Sequence, residues 1–217
     1  MEPALQTLFE VSNHIARKHP DVTTYMIEAN HKGISEWAKR DFTVPCPKFI
    51  KDSVLKRNSL PNSTWIETGT YFGETTELLS TFAKKVYTIE PEPKLYDKAV
   101  EKFMSNPTVS VINDISENAL PKLLPNIEGN VCFWLDGHYS AGVTFAGPND
   151  TPLIHELNEI SRHLSRLLKV VIAIDDIRLC GKVHAYGEYP SLDYLVNWSR
   201  DNKMKWNIEY DIFIIKN

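Results

Sequence analysis

Long hydrophobic runs, a leader-like N-terminus and paired cysteines are all missing from this sequence. Its most apolar stretches, such as residues 170–174, are far shorter than the ~20 residues that cross a bilayer. Residues 1–21 carry an early acid and polar interruptions, which argues against a secretory signal peptide. The three cysteines are widely spaced and include no Cys-x-x-Cys pair, so neither a disulfide framework nor a structural zinc site is indicated. We therefore expect a cytoplasmic protein without a membrane partner.

An excess of positive charge is missing as well. The formal net charge is -4 at pH 7 with a pI near 6.0, so we expect no nucleic-acid partner. The 217 residues, 42% hydrophobic and 24% charged, favour one well-packed core over two complete domains. We predict a helical extension over residues 1–58, acting as a lid or substrate wall, and a main domain over residues 59–217. The sequence is compatible with a monomer and with a homo-oligomer.

From residue 64 onwards, short apolar runs alternate with longer helical patterns. This alternation is typical of an α/β protein with a mostly parallel, doubly wound sheet and helices on both faces. The predicted strands cover residues 64–68, 86–90, 109–112, 131–136, 170–175, 205–210 and 212–216. The predicted helices lie near residues 73–83, 93–104, 116–124, 151–166 and 191–202, preceded by helices near 4–18, 34–40 and 47–57.

A turn with two glycines follows the first predicted strand. Gly69 and Gly73 would let backbone N–H groups and a helix N-terminus approach a ligand closely. The turn lacks the Gly-Lys-Ser/Thr of a phosphate-binding loop and the Gly-x-Gly-x-x-Gly of a dinucleotide fold. Glu67, just before the turn, is unsuited to a pyrophosphate and suits a cationic amino group. Thr70 and Thr75 lie in the same segment, which we predict to be a small-molecule site.

Acids follow the next strands along the chain. Glu90 ends the second predicted strand and lies ~20 residues after the glycine turn. This is the spacing that ribose recognition requires. Asp136 ends the fourth strand, and Asp175 and Asp176 end the fifth. Open α/β sheets bind ligands along this edge, and clustered carboxylates near an interior are costly without a partner. We therefore expect a ligand, a cation or a basic partner there, although Asp175 could instead pair with Arg178.

The loop after the fourth strand carries further polar groups. His138, Tyr139 and Thr144 lie where a substrate would meet the sheet edge. Other polar residues of this region have a structural interpretation: helix capping, aromatic packing, or a position at the solvated edge of the core. These residues are Asp150 and Thr151 as caps, Tyr186, Tyr189 and Tyr194 as packing aromatics, and His155, Glu156, Glu159 and His163 on the following helix.

The order of these motifs from residue 65 to residue 176 resembles that of class I S-adenosylmethionine-dependent methyltransferases. The resemblance covers about residues 60–217 and implies a seven-stranded sheet with an antiparallel last strand. It also implies that Asp114 and Ile115, after the third strand, border the adenine. The segment 135–140 and the pair Asp175 and Asp176 look most like bacterial small-molecule O-methyltransferases of the macrocin type.

This resemblance implies a metal site and a catalytic base. Asp136, Asp175 and Asp176 match the acids that hold Mg²⁺ in cation-dependent O-methyltransferases, where the cation lowers the pKa of a bound hydroxyl. Asp136 and His138 would then be catalytic, with His138 as the general base. The family usually places the base three residues after the strand-four acid, which is Tyr139 in this chain, so the identity of the base stays open.

The sequence thus predicts an enzyme that methylates a hydroxyl of a small molecule, such as a sugar or a nucleotide-linked sugar, with S-adenosylmethionine as cofactor and Mg²⁺ as an aid. Three alternatives remain. The same fold could work without metal, or the Asp136, His138, Asp175 and Asp176 cluster could serve a metal-dependent hydrolase or oxygenase. The chain could also be a binding module without activity.

Overall fold

The computed structural model describes residues 30–137, 151–181, 183–184 and 187–217. The chain divides into two compact units, Met1–Asn58 and Ser59–Asn217. The predicted helix over residues 4–18 lies outside the described residues. None of the described helices combines the length and the apolar character that a membrane-spanning helix needs.

The described part of the first unit contains two helices, α1 (His31–Ala38) and α2 (Lys48–Asn58). In α1, the buried side chains Ile34 and Trp37 lie three residues apart and share one helix face. The indole N–H of Trp37 donates to the carbonyl of Thr43 at 2.9 Å, and its ring meets Phe42 edge-on at 5.2 Å between centroids. These contacts fold the chain back after α1.

In the described residues of the second unit, strands alternate with helices from the first strand to the fifth. The strands are β1 (Thr64–Thr68), β2 (Lys85–Ile89), β3 (Val109–Ile112), β4 (Asn130–Leu135), β5 (Lys169–Ile174), β6 (Val183–His184), β7 (Gly187–Glu188), β8 (Lys205–Glu209) and β9 (Ile212–Lys216). The helices are α3 (Glu74–Ser80), α4 (Pro93–Phe103), α5 (Ser116–Leu123), α6 (Leu153–His163) and α7 (Leu192–Asp201), with short 3₁₀ turns at Leu124–Asn126, Leu164–Arg166 and Ile177–Leu179.

Seven strands form one sheet in the order β3-β2-β1-β4-β5-β9-β8. Strands β1 to β5 pair in parallel, while β9 is antiparallel to both of its neighbours. The strand order reverses between β1 and β4, which places a crevice at the carboxyl ends of these two strands. The predicted Rossmann-like α/β fold with seven strands is therefore confirmed.

The core lies on both faces of the central strands, as expected for a parallel sheet covered by helices. Ile66 of β1 and Phe133 of β4 are fully buried in a cluster with apolar side chains of α5, α6 and α7. On the opposite face Trp65 is also fully buried and meets the ring of Phe82 edge-on. Because both faces are buried, these strands read as continuous apolar runs in the sequence.

Among the described residues, the sequence pattern did not predict the two-stranded hairpin of β6 and β7. Each strand has only two residues, too few for an alternating pattern to be recognised. The predicted bounds of the main strands differ from the observed ones by one residue at most.

Candidate functional site

The candidate site lies at the carboxyl edge of β1, β2, β4 and β5. The backbone N–H of Gly69 donates to the carbonyl of Ile89 at 3.0 Å, and that of Asp136 donates to the carbonyl of Thr68 at 3.2 Å. The glycine turn after β1 is thereby tied to the ends of both neighbouring strands, and the predicted Gly69, Asp136 and Glu90 lie along one edge.

Both glycines of this turn are required by the chain itself. Gly69 has φ +91°, and a Cβ there would lie 2.8 Å from the carbonyl oxygen of Asp136. Gly73 has φ +70°, and a Cβ there would lie 2.8 Å from the ring of Phe103. Positive φ and close backbone approach both favour glycine. The two glycines are thus explained by packing alone, so a cofactor role for the turn rests on its location beside Glu90.

Glu90 connects the end of β2 to the glycine turn. Its side chain is 4% exposed, and its carboxylate accepts hydrogen bonds from the backbone N–H groups of Tyr71 at 2.8 Å and Glu92 at 3.0 Å. Burial raises the pKa of the Glu90 carboxyl, against the smaller opposite effect of these two N–H groups. The side-chain amide of Asn113 donates to the Glu90 carbonyl at 2.9 Å, which fixes the backbone under the acid.

Glu67 is the centre of a buried polar network beneath the turn. Its side chain is 1% exposed, and one carboxylate oxygen accepts hydrogen bonds from the hydroxyls of Thr76 and Thr88. Because the Thr88 hydroxyl gives its one proton to Glu67, the Thr70 hydroxyl must donate to Thr88 in the bond they share. Thr70 therefore faces inward, whereas Thr75 is half-buried. Thr76 and Thr88 were not among the predicted site residues.

Asp114 lies at the start of α5, where its carboxylate already has several partners. It accepts from Lys122 at 2.8 Å, from the side-chain amide of Asn118 at 3.1 Å and from the backbone N–H of Ile115 at 2.9 Å. The hydrogen bond from Lys122 is the largest cause of its lowered pKa. Ile115 is half-buried at the N-cap position. The contacts of Asp114 are those of a helix-start residue, and its predicted role at the adenine remains a prediction.

Three acids come together after β5, in a different set from the one predicted. Among the described residues, the carboxylates of Asp175, Asp176 and Asp211 lie within 4.8 Å of one another, and Asp136 is outside this group. The guanidinium of Arg178 forms ion pairs with Asp176 and Asp211. Its backbone N–H also donates to Asp211 at 2.9 Å. Asp211 lies in the turn between β8 and β9, so only the tertiary fold brings it here.

This geometry bears on the predicted Mg²⁺ site. Hard cations need several oxygen ligands around one point, and in the described residues Asp136, Asp175 and Asp176 do not converge as such a set. Arg178 forms ion pairs with two of the three clustered acids, and its single positive charge offsets only part of their negative charge. Only Asp175 and Asp176 of the predicted ligands belong to the acid cluster of the described residues, so the Mg²⁺ site remains a prediction and we derive no chemical step through a metal.

A pocket opens between the ends of β4 and β5 and the start of α6. It is lined by carboxyl, hydroxyl and apolar groups: Leu135, Asp136, Gly137, Thr151, Pro152, Leu153, Glu156, Ile174, Asp175 and Tyr189. Burial, together with the nearby carboxylates of Asp176, Asp136 and Asp175, raises the pKa of the Tyr189 phenol. The acids at the ends of β4 and β5 thus lie near the same side chain, Tyr189. Tyr189 was predicted to be a packing aromatic, and it lines the pocket.

Glu156 is the most unexpected residue of this pocket. The sequence pattern placed it at a solvated or core-edge position of α6, but its side chain is 1% exposed. Its Oε1 makes no hydrogen bond within the described residues, and a Cβ on Gly137 would lie 3.5 Å from this atom. Burial raises the pKa of the Glu156 carboxyl from 4.5 to about 7, against smaller opposite effects of the Ser116 and Thr68 hydroxyls.

The sequence signal for Glu156 was present but weak. It lies three residues after Leu153 and one before Leu157, both buried, so its position on the inner face of α6 follows from helical periodicity. The opposite expectation came from the general rarity of buried glutamates. The predicted residues His138, Tyr139 and Thr144 lie outside the described residues.

Comparisons with known proteins identify the fold. No protein-family model matches the chain, and the search of curated proteins found no match. An N-methyltransferase, NodS from Bradyrhizobium japonicum, has a TM-score of 0.52 at 13% identity, over 78% of this chain and 94% of its own. A protein assigned as an rRNA methylase from Clostridium thermocellum has a TM-score of 0.52 at 14% identity, over 80% of this chain and 97% of its own. The Ser59–Asn217 unit therefore has the fold of class I S-adenosylmethionine-dependent methyltransferases.

Proposed function

We propose that the Ser59–Asn217 unit is an S-adenosylmethionine-dependent methyltransferase that methylates an oxygen atom of a small molecule. The observation that carries this proposal is the position of Glu90. Its buried carboxylate ends β2 and holds the backbone of Tyr71 in the glycine turn. An acid at this place can accept hydrogen bonds from both hydroxyls of a ribose. The methyltransferase fold supports the same assignment.

The cofactor would supply an electrophilic methyl group, and the residues around the turn would hold it. Glu90 would bind the ribose, and the turn from Gly69 to Gly73 would lie along the amino-acid end of the cofactor. Glu67 keeps this turn in place through Thr76 and Thr88 and acts as a positioning residue in this proposal. Ile115 would pack against the adenine.

The acceptor would bind over the ends of β4 and β5, with its reacting hydroxyl at the small pocket that Asp136, Asp175, Glu156 and Tyr189 line. A hydroxyl oxygen that gains a methyl group must lose its proton, so the site needs a base. A buried carboxyl whose pKa is about 7 suits this task at neutral pH. Glu156 therefore joins His138 and Asp136 as a proposed proton acceptor.

A sugar or a nucleotide-linked sugar is the acceptor class that we propose, in keeping with the resemblance to macrocin-type enzymes. Hydroxyl groups are hydrogen-bond donors, and the described lining of the pocket offers carboxylate oxygens as acceptors. The similar structures include an N-methyltransferase and a protein assigned as an rRNA methylase. The fold therefore does not select the acceptor, and the expectation against nucleic acid stays a prediction.

Calorimetric titration with S-adenosylhomocysteine, with Mg²⁺ and separately with a chelator, tests the cofactor assignment. Micromolar or tighter binding in both conditions is expected, because no described cofactor contact depends on a metal. Binding that requires Mg²⁺ would support the predicted metal site. No binding in either condition, combined with tight binding of Fe²⁺ or Zn²⁺, would favour a metal-dependent hydrolase or oxygenase.

A transfer assay with S-adenosylmethionine labelled in its methyl group tests the acceptor class. Free sugars, nucleotide-linked sugars and ribosomal RNA would be offered in parallel. Label in the sugar fraction is the expected result, and label in RNA would contradict it. Cofactor binding without transfer to any acceptor would point to a binding module.

A further inference from the structure

Strand β8 forms an edge of the main sheet, and most of its residues are exposed to solvent. Among the described residues it pairs with β9 on one side only. Its residues are exposed from Lys205 to Ile208, and Glu209 is half-buried. The opposite edge, β3, has one buried and three half-buried residues. Edge strands present unpaired N–H and C=O groups to another chain, and proteins usually protect them.

The side chains of β8 include two exposed apolar residues. Trp206 is 39% exposed and Ile208 is 41% exposed, and the alternation of a strand places both on one face. On this face the Trp206 ring stacks on Phe213, with centroids 5.3 Å apart. Phe213 belongs to the buried core of the unit. The apolar layer of the core therefore continues outward to the edge of the sheet.

We propose that β8 pairs with β8 of a second copy of this chain in an antiparallel, two-fold symmetric dimer. The sequence of the strand, Lys205-Trp-Asn-Ile-Glu209, is self-complementary about Asn207. Antiparallel pairing centred on Asn207 places Lys205 opposite Glu209 of the second copy. It also places Trp206 opposite Ile208 of the second copy, on the other face. Charge and apolar contacts are thus matched on both faces.

A feature within the single chain favours the same partner. In the β8–β9 pair, Lys205 is directly opposite Lys216, and like charges at such positions destabilise a sheet. The second copy would bring its Glu209 to the other side of Lys205 and so offset this repulsion. A second β8, which carries Glu209 at the end opposite to Lys205, is therefore the partner that best complements this strand.

Charge reversal tests the pairing through sedimentation of the full-length chain. A pair of five-residue strands buries less than the ~1,200 Å² of a standard interface, so dissociation in the micromolar range is expected. Lys205→Glu and Glu209→Lys should each weaken dimerisation by about tenfold, because each change affects two symmetric contacts. The double variant should recover the wild-type dimer. A wild-type chain that is monomeric up to about 200 µM, or dimers indifferent to all three variants, would overturn the proposal.

Cross-linking tests the register. Only the residue on the two-fold axis faces its own copy, with Cα atoms ~4.5 to 5.5 Å apart, which is within the reach of a disulfide. Asn207→Cys should therefore form a covalent dimer under mild oxidation, while Glu209→Cys should not. Cys46 and Cys132 are buried and Cys180 is half-buried, so the unsubstituted chain serves as the background control. Equal cross-linking of the two variants would exclude this register.

Discussion

The backbone N–H of Tyr71 donates a hydrogen bond to the carboxylate of Glu90 at 2.8 Å. This bond joins the turn after β1 to the end of β2, so the residue proposed to bind ribose also shapes the loop proposed to hold the rest of the cofactor. Loss of the carboxylate should therefore affect binding in two ways, through the missing contact and through a loosened turn.

Glu90→Ala should weaken S-adenosylhomocysteine binding by tenfold or more, since hydrogen bonds to charged groups contribute about 1.5–3 kcal/mol. Calorimetric titration measures the affinity, and thermal unfolding measures any general loss of stability. Glu101→Ala, an exposed position on α4, is the matched control and should bind normally. Unchanged affinity in the Glu90 variant would remove the ribose assignment.

The network under the turn predicts a stability effect. Thr76→Val keeps the shape of the side chain but removes a hydroxyl that donates to the buried Glu67 carboxylate. The free energy of unfolding should fall by about 1–3 kcal/mol, because a buried carboxyl oxygen loses a hydrogen-bond donor. Urea denaturation measures the change. The neighbouring Thr75→Val, at a half-buried position, should have an effect of about 0.5 kcal/mol or less.

Glu156 predicts a pH dependence with a definite sign. Because burial raises its pKa from 4.5 to about 7, the folded state holds this proton when the unfolded state has lost it. The group therefore lowers stability progressively as the pH rises from about 4.5 to about 7, by about 3 kcal/mol in total. Glu156→Gln removes this penalty. The stability of the variant relative to wild type should rise by this amount between acidic and mildly alkaline pH.

The control for this pH series is Glu159→Gln on the same helix. Glu159 forms an ion pair with Arg162 at 2.6 Å and a hydrogen bond with His163 at 3.1 Å, so its loss should give no gain at high pH. Unfolding free energies of the three proteins, measured by urea denaturation across the range, decide the question. A Glu156→Gln difference that stays constant with pH would show that the carboxyl titrates normally.

Removal of Arg178 should destabilise the folded chain, because it leaves two acids without their cationic partner. Arg178→Met should lower the free energy of unfolding by about 2 kcal/mol, because Asp211 loses its cationic partner; the Arg178 side chain is itself 32% exposed, which keeps the loss below that of a fully buried pair. Asp211, at 1% exposure, would carry most of this cost. Arg162→Met removes an arginine whose side chain is 73% exposed and should cost less than about 1 kcal/mol. Similar losses in the two variants would contradict a structural role for the Arg178 cluster.

The sequence by itself determined which segments of the chain form the main strands. Apolar runs such as residues 131–135 and 170–174 gave the central strands because strands buried on both faces need unbroken apolar sequence. The same local patterns placed Glu67, Glu90 and Asp136 at strand ends, which is where an open sheet binds ligands. Both the class of fold and the edge where the candidate site lies follow from these local features.

Only the tertiary structure decided which groups meet. Asp211 is over 30 residues from Arg178 along the chain, and the β8–β9 turn brings them together. In the sequence Glu156 looks like an ordinary polar residue of a helix, but in the folded chain its side chain is buried close to Gly137. The exposure of β8 likewise depends on its position as an edge strand of the sheet. Contacts between distant segments, and the desolvation that they cause, are properties of the folded chain that local sequence patterns do not encode.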